Sequence, residues 1–271
     1  MTHDRPDART RRRLLAVGAA TGATALAGCT GGLSGESGGA RTTTETATRA
    51  PLGNHPAAEG IADQPRSGPP PAEAEGVVVA FEDPSCPRCA AWETGTVPKI
   101  RERLGDRVAV VFRSYPVIYA WGKPATQAIE AAFARETGAG AAGTSGESTT
   151  TADGTGTTTS DPAAYGVRQD STATWALIRH YFENQDRFDD DNVLDLTRTF
   201  LAEETDLDAD AVVADAEAEA RDDAVRADLA AGEAAGVGRT TPTVFLFRDG
   251  EFRTRAKGSV SFRVVKSALG L

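Results

Sequence analysis

Thiols, lysines and histidines are scarce in this chain. Of 271 residues only three are cysteines, Cys29, Cys86 and Cys89, and only four are lysines, Lys99, Lys123, Lys257 and Lys266. The histidines are His3, His55 and His180, far apart in sequence. A closed zinc site takes four ligands, and a zinc ribbon brings a second CxxC. The zinc reading of Cys86-Pro87-Arg88-Cys89 therefore lacks partners. No Asn-x-Ser/Thr sequon occurs. No apolar run reaches the roughly 20 residues of a membrane span; the longest, Leu14 to Gly28, is short and rich in glycine. Excess positive charge is absent too, since the net charge is −10. Nothing neutralises phosphates over a contiguous face, so nucleic acid is excluded as a partner.

The N-terminus carries location signals. Thr10-Arg11-Arg12-Arg13-Leu14-Leu15 matches a twin-arginine export signal, and Leu26-Ala27-Gly28-Cys29 matches a lipobox. Cys29 is then the lipidated first residue of the mature chain, anchored at the extracytoplasmic face of the cell membrane. The alternative is an uncleaved N-terminal anchor helix. Removing residues 1–28 takes away five arginines and two aspartates, leaving 24 basic against 37 acidic side chains, or −13. An acidic, lysine-poor surface suits high salt, where self-repulsion is screened, and fits a haloarchaeal source. Residues 29–73 are dominated by Gly, Ser, Thr, Pro and Ala, with no apolar period, and read as a disordered tether.

Cys86-Pro87-Arg88-Cys89 follows the valine-rich run Val77-Val78-Val79-Ala80-Phe81 and opens a helix, with Cys86 at its N-cap and Pro87 at its first position. Such a pair can close a small disulfide ring, and the helix start stabilises the thiolate of Cys86. The helix runs toward Leu104 with a break near Pro98, and residues 107–112 form a second strand. This is a βαβ unit with the CxxC at the carboxyl end of its first strand, where open α/β sheets bind ligands. The next strand begins only at Thr243 after Thr240-Thr241-Pro242, so the interval holds a subdomain. It reads as helices over 124–135, 172–187, 192–203, 208–219 and 222–232. Residues 138–161 interrupt them and read as a flexible surface loop, with a lid as the alternative. Arg248-Asp249-Gly250 is a hairpin turn, and residues 259–269 are a closing helix.

Strand, CxxC helix, helical interval and a Thr-Pro entering a later strand resemble the thioredoxin superfamily, in its DsbA-like thiol–disulfide oxidoreductase branch. The resemblance implies an α/β thioredoxin fold with a large all-helical insertion. Residues 74–118 are its first half, 119–236 the insertion and 237–271 its second half. It implies Cys86 as exposed nucleophile, Cys89 as buried resolving thiol, and a redox-active disulfide between them in place of any cofactor. Arg88 adds a fixed positive charge beside Cys86. Pro242 corresponds to the family's cis-proline, with Thr241 ahead of it presented to substrate; an ordinary trans-proline entering a strand is the alternative. The family's buried acid, six residues before the first cysteine, is replaced by Ala80, and Glu82 and Asp83 read as solvated charges. Trp92, Trp121 and Trp175 read as packing residues, whereas Tyr115 and Tyr119 are candidates for the core or the rim of the site.

Three functions remain open on these grounds. One is an extracytoplasmic disulfide donor to the thiols of unfolded or exported proteins, recharged by a membrane redox partner. The others are a thiol reductase for cytochrome assembly or repair, and a non-catalytic binding lipoprotein.

Overall fold

Strands as apolar as residues 76–82 and 108–114 must be covered on both faces. The computed structural model supplies two different covers. It describes residues 52–138 and 172–271. The export signal, Cys29, residues 29–51 of the tether and residues 139–161 of the loop lie outside the described residues.

Five strands form one mixed sheet: β1 (Arg66–Ser67), β2 (Gly76–Glu82), β3 (Val108–Ser114), β4 (Thr243–Arg248) and β5 (Glu251–Lys257), in the order β1-β3-β2-β4-β5. β2 and β3 run parallel from Gly76 opposite Val108 to Glu82 opposite Ser114. β4 is antiparallel to β2, β5 to β4, and β1 to β3. The parallel crossover contains α1 (Pro87–Gly95) and α2 (Val97–Leu104). They divide at Thr96, and Pro98 falls in the first turn of α2, where its missing N–H costs no helical bond. Between β3 and β4 come α3 (Gly122–Thr137), α4 (Thr172–Glu183), α5 (Val193–Glu204), α6 (Ala209–Glu217) and α7 (Asp222–Ala234); α8 (Phe262–Leu269) closes the fold. This is the α/β thioredoxin fold with a helical insertion. No helix among the described residues is long and apolar enough to cross a membrane.

Strand alternation divides the core. Val78, Ala80, Val110, Phe112, Val244 and Leu246 face one cluster with α1, α2, α8 and the inserted helices. Val77, Val79, Phe81, Ala109, Val111, Phe245 and Phe247 face the other side of the sheet. Much of that second face is covered by residues read from sequence as tether, so a tether running to residue 73 is corrected. From Leu52 the chain makes short 3-10 turns at Leu52–Asn54, Pro56–Ala58 and Ile61–Asp63, burying Ala57, Ala58 and Ile61. His55, also assigned to the tether, stacks on Phe252 at 4.6 Å, and its Nδ1 accepts from the Ala57 N–H at 3.1 Å. The segment folds because an apolar sheet face offers Ala57, Ala58 and Ile61 a partner that their own sequence does not supply.

A buried ion pair holds this cover down. Arg113 on β3 donates through Nη2 to Asp228 Oδ1 of α7 at 2.7 Å, and through Nη1 to the Glu59 carbonyl at 2.7 Å. Asp228 also accepts from Gln64 Nε2 at 3.0 Å and from the Ser114 N–H at 2.7 Å. Both ions are almost wholly removed from water, and these hydrogen bonds satisfy what burial would otherwise leave unpaired.

Candidate active site

The turn after β2 is organised by one carboxylate. Asp83, fully buried, accepts at Oδ1 from the Ser85 N–H (2.8 Å) and hydroxyl (2.6 Å). Its Oδ2 accepts from the N–H groups of Val117 and Ile118 at 2.6 and 2.7 Å. Ser85 Oγ accepts from the Tyr119 N–H at 3.0 Å. The loop after β3 is thereby fixed to the turn before Cys86, with Tyr119 left 58% exposed. Gly122 completes the fit, since a Cβ there would lie 2.4 Å from Asp83 Oδ1.

Cys86 closes this turn, its N–H donating to the Asp83 carbonyl at 2.9 Å, and stands as N-cap of α1 in extended backbone geometry. Cys89 lies one turn on, and both are free thiols. The two thiols titrate in opposite directions. Cys86 is lowered from the ordinary thiol value to about 5, first by a hydrogen bond from Cys89 and then by the Thr241 side chain and the N–H groups of Cys89 and Arg88, against the upward push of burial. Cys89 is pushed well above the thiol range by burial, by its bond to Cys86 and by the charge of Glu82. One sulfur is a stable thiolate and the other a stable thiol.

Thr241 lies against this pair. The Thr241–Pro242 peptide is cis, and the Cys86 thiol donates to the Thr241 carbonyl at 3.4 Å. A carbonyl suits the neutral thiol. The Thr241 hydroxyl, buried and without a partner, is the group able to donate to the thiolate.

Beneath the thiols lie two acids. Glu82 ends β2 on the face of Ala80, two residues along, and is fully buried; Glu93 on α1 is 4% exposed. Burial raises both carboxyls, and their proximity raises Glu82 further. The negative potential of Glu82 also reaches Cys89. Two adjoining carboxyls that cannot both ionise cheaply hold a proton next to the resolving thiol.

Three sequence readings are corrected. Cys86, expected exposed, is 1% accessible, because the Thr241 strand entry and Gln185 of the inserted layer close over its turn. Arg88 has an exposed side chain, and its effect on Cys86 comes through its backbone N–H rather than its guanidinium. Glu82 and Asp83 are not solvated but enclosed between the sheet, α1 and the loop at 115–121. Pro87 occupies the first turn of α1, and Trp92, Trp121, Trp175 and Tyr115 are buried. The acid pair has a sequence signal in retrospect: strand parity puts Glu82 with Ala80, and Glu93 follows Cys86 and Cys89 at helical spacing. Gln185 has none.

No curated protein matches the chain. Solved structures do. Oxidised BdbD from Bacillus subtilis is 18% identical, with a TM-score of 0.53 over 78% of this chain and 95% of that one. The catalytic domain of ScsC from Proteus mirabilis is 20% identical, with a TM-score of 0.51 over 79% and 94%. Alpha-DsbA1 from Wolbachia pipientis is 15% identical, with a TM-score of 0.54 over 76% and 91%. At these identities the likeness is one of fold, that of the DsbA-type oxidoreductases. A family model described as thioredoxin matches residues 71–258, well over half of the sequence, and the chain belongs to the thioredoxin family.

Proposed function

We propose that the protein is a thiol–disulfide oxidoreductase that donates the Cys86–Cys89 disulfide to thiols of exported polypeptides. The observation that carries this reading is the opposite titration of the two sulfurs, with Cys86 at about 5 and Cys89 well above the thiol range. A substrate thiolate attacks Cys86 Sγ. The substrate–Cys86 bond forms, the Cys86–Cys89 bond breaks, and Cys89 leaves with the electron pair. The proton held by Glu82 and Glu93 neutralises Cys89, and solvent later replaces it. A second substrate thiolate then attacks the substrate sulfur, forming the product disulfide and releasing Cys86 as thiolate. Two electrons pass from substrate to enzyme; of the two substrate protons, one ends on Cys89 and one in solvent. An electron acceptor, for which a membrane redox partner is the candidate class, must restore the disulfide.

A low-pKa thiolate is a good leaving group, and its stability makes the disulfide a stronger oxidant. No cofactor or metal enters the scheme. The twin-arginine pattern and Cys29 support action at the extracytoplasmic face through a lipid anchor. A Cys29→Ser chain found soluble would agree with that location; one still membrane-bound would speak for an anchor helix. For the activity, the oxidised protein is mixed with a reduced two-cysteine peptide. Stoichiometric peptide oxidation, abolished in Cys86→Ser, is expected; oxidation that survives Cys86→Ser would end this reading.

A further inference from the structure

We propose that Gln185, in the helical insertion, is a positioning residue for the exchange centre, holding the backbone carbonyls of Pro84 and Cys86 so that the reacting sulfur keeps its place at the start of α1. Gln185 Nε2 donates to the Pro84 carbonyl at 2.6 Å and to the Cys86 carbonyl at 3.0 Å. One amide nitrogen has two hydrogens, and each finds an acceptor. The N–H side of the same turn is already satisfied by Asp83. Its carbonyl side faces the inserted layer, where an unmatched buried acceptor would be costly. Gln185 thus supplies, from about a hundred residues away, a donor to the Pro84 carbonyl and a second one to the Cys86 carbonyl.

Its own placement is fixed from both sides. Asn184 follows α4 and donates through Nδ2 to the His180 carbonyl at 2.9 Å. Gln185 then opens the 3-10 turn Gln185–Arg187. Phe188 after it is buried against Tyr181 and Trp121, with ring centroids 5.2 and 5.4 Å away. A side chain leaving a segment pinned this way is oriented before any substrate arrives.

The electrostatic consequence bears on Cys86. The Gln185 amide donates to the carbonyls of Pro84 and Cys86 and so holds the turn that carries the sulfur against the start of α1. The Cys86 carbonyl is also the first acceptor of α1, taking the Ala90 N–H at 3.1 Å. Loss of the clamp therefore loosens the helix start that favours the thiolate. Titratable groups acting on Cys86 are Cys89 on α1 and Glu82 on β2. Gln185 is uncharged, so its removal leaves both in place.

The inference rests on the exchange function proposed above, and the test separates the two. In the reduced full-length protein, the Cys86 thiolate is titrated by its ultraviolet absorbance for wild type, Gln185→Leu and Gln185→Glu, with melting curves alongside. Wild type is expected at about 5. Gln185→Leu should rise by roughly half to one unit, the scale of one neutral hydrogen bond. Gln185→Glu should rise further, since its carboxylate faces two acceptors. Variants that match wild type overturn the role of Gln185, even if their melting temperatures fall. A wild-type midpoint near 9 sinks the exchange reading instead. Should both variants fail to fold, nuclear magnetic resonance of the Gln185 side-chain amide in the wild-type protein decides. Its shift should follow the Cys86 titration with the same midpoint, and an amide indifferent to that titration overturns the proposal.

Discussion

Replacing Thr241 with valine removes a buried hydroxyl while keeping the shape of the side chain. That hydroxyl has no partner when Cys86 is a neutral thiol, yet the Thr241 side chain is, after Cys89, the next group lowering the Cys86 pKa. A hydrogen bond to a charged group contributes about 1.5–3 kcal/mol, or roughly one to two units at 1.36 kcal/mol per unit. Thr241→Val should therefore move Cys86 from about 5 to roughly 6–7. The redox consequence at pH 7 is smaller than the whole shift between 9 and 5, because a thiol at 9 is hardly ionised there. Lowering the pKa to 5 stabilises the reduced form by about 3 kcal/mol at pH 7, or about 60 mV for a two-electron couple. Thr241→Val should reverse about 30–50 mV of that. The checks are thiolate absorbance against pH, and equilibration with glutathione at pH 7. A midpoint unchanged within experimental error would refute the assignment of the hydroxyl as a thiolate donor.

Other expectations follow from the same geometry. Glu93 is an acid raised by burial, so its contribution to stability is fully present below about pH 4.5 and is lost as pH rises through its folded-state value. Glu93→Gln should thus leave denaturant unfolding at pH 4 nearly unchanged and stabilise the protein at pH 8 by on the order of 3 kcal/mol; equal effects at both pH values would contradict the buried proton. Glu82→Gln should lower the pKa of Cys89, read by alkylation rate against pH in a Cys86→Ser background, because it removes the charge acting on that thiol. Asp228→Ala leaves Arg113 buried without its counter-ion and should cost about 3–5 kcal/mol in chemical denaturation. Residues 52–64 should become protease-sensitive in that variant.

The βαβ unit was legible because its signals are local: a valine-rich strand, a Cys-Pro helix start, Gly105-Asp106 before the next strand. Asp249-Gly250 marked the hairpin for the same reason, both residues taking positive φ. The fold of residues 52–67 was hidden because Ala57, Ala58 and Ile61 carry no period, and only the unpaired sheet face makes burying them favourable. Glu82 was misread as solvated because a charge at a strand end is usually at the surface. Here α1 and Trp92 seal that end, with Trp92 fully buried in the same cluster as Cys89. The contact of Gln185 spans 99 and 101 residues, and no single-sequence pattern reports a pairing across an insertion.

The most direct test of the central claim is the equilibrium of the Cys86–Cys89 couple with glutathione at pH 7. A potential less negative than about −200 mV, on the side of protein disulfide isomerase and DsbA, is the expected result. A value at or below roughly −270 mV, that of thioredoxin, would contradict disulfide donation and leave the protein a reductase.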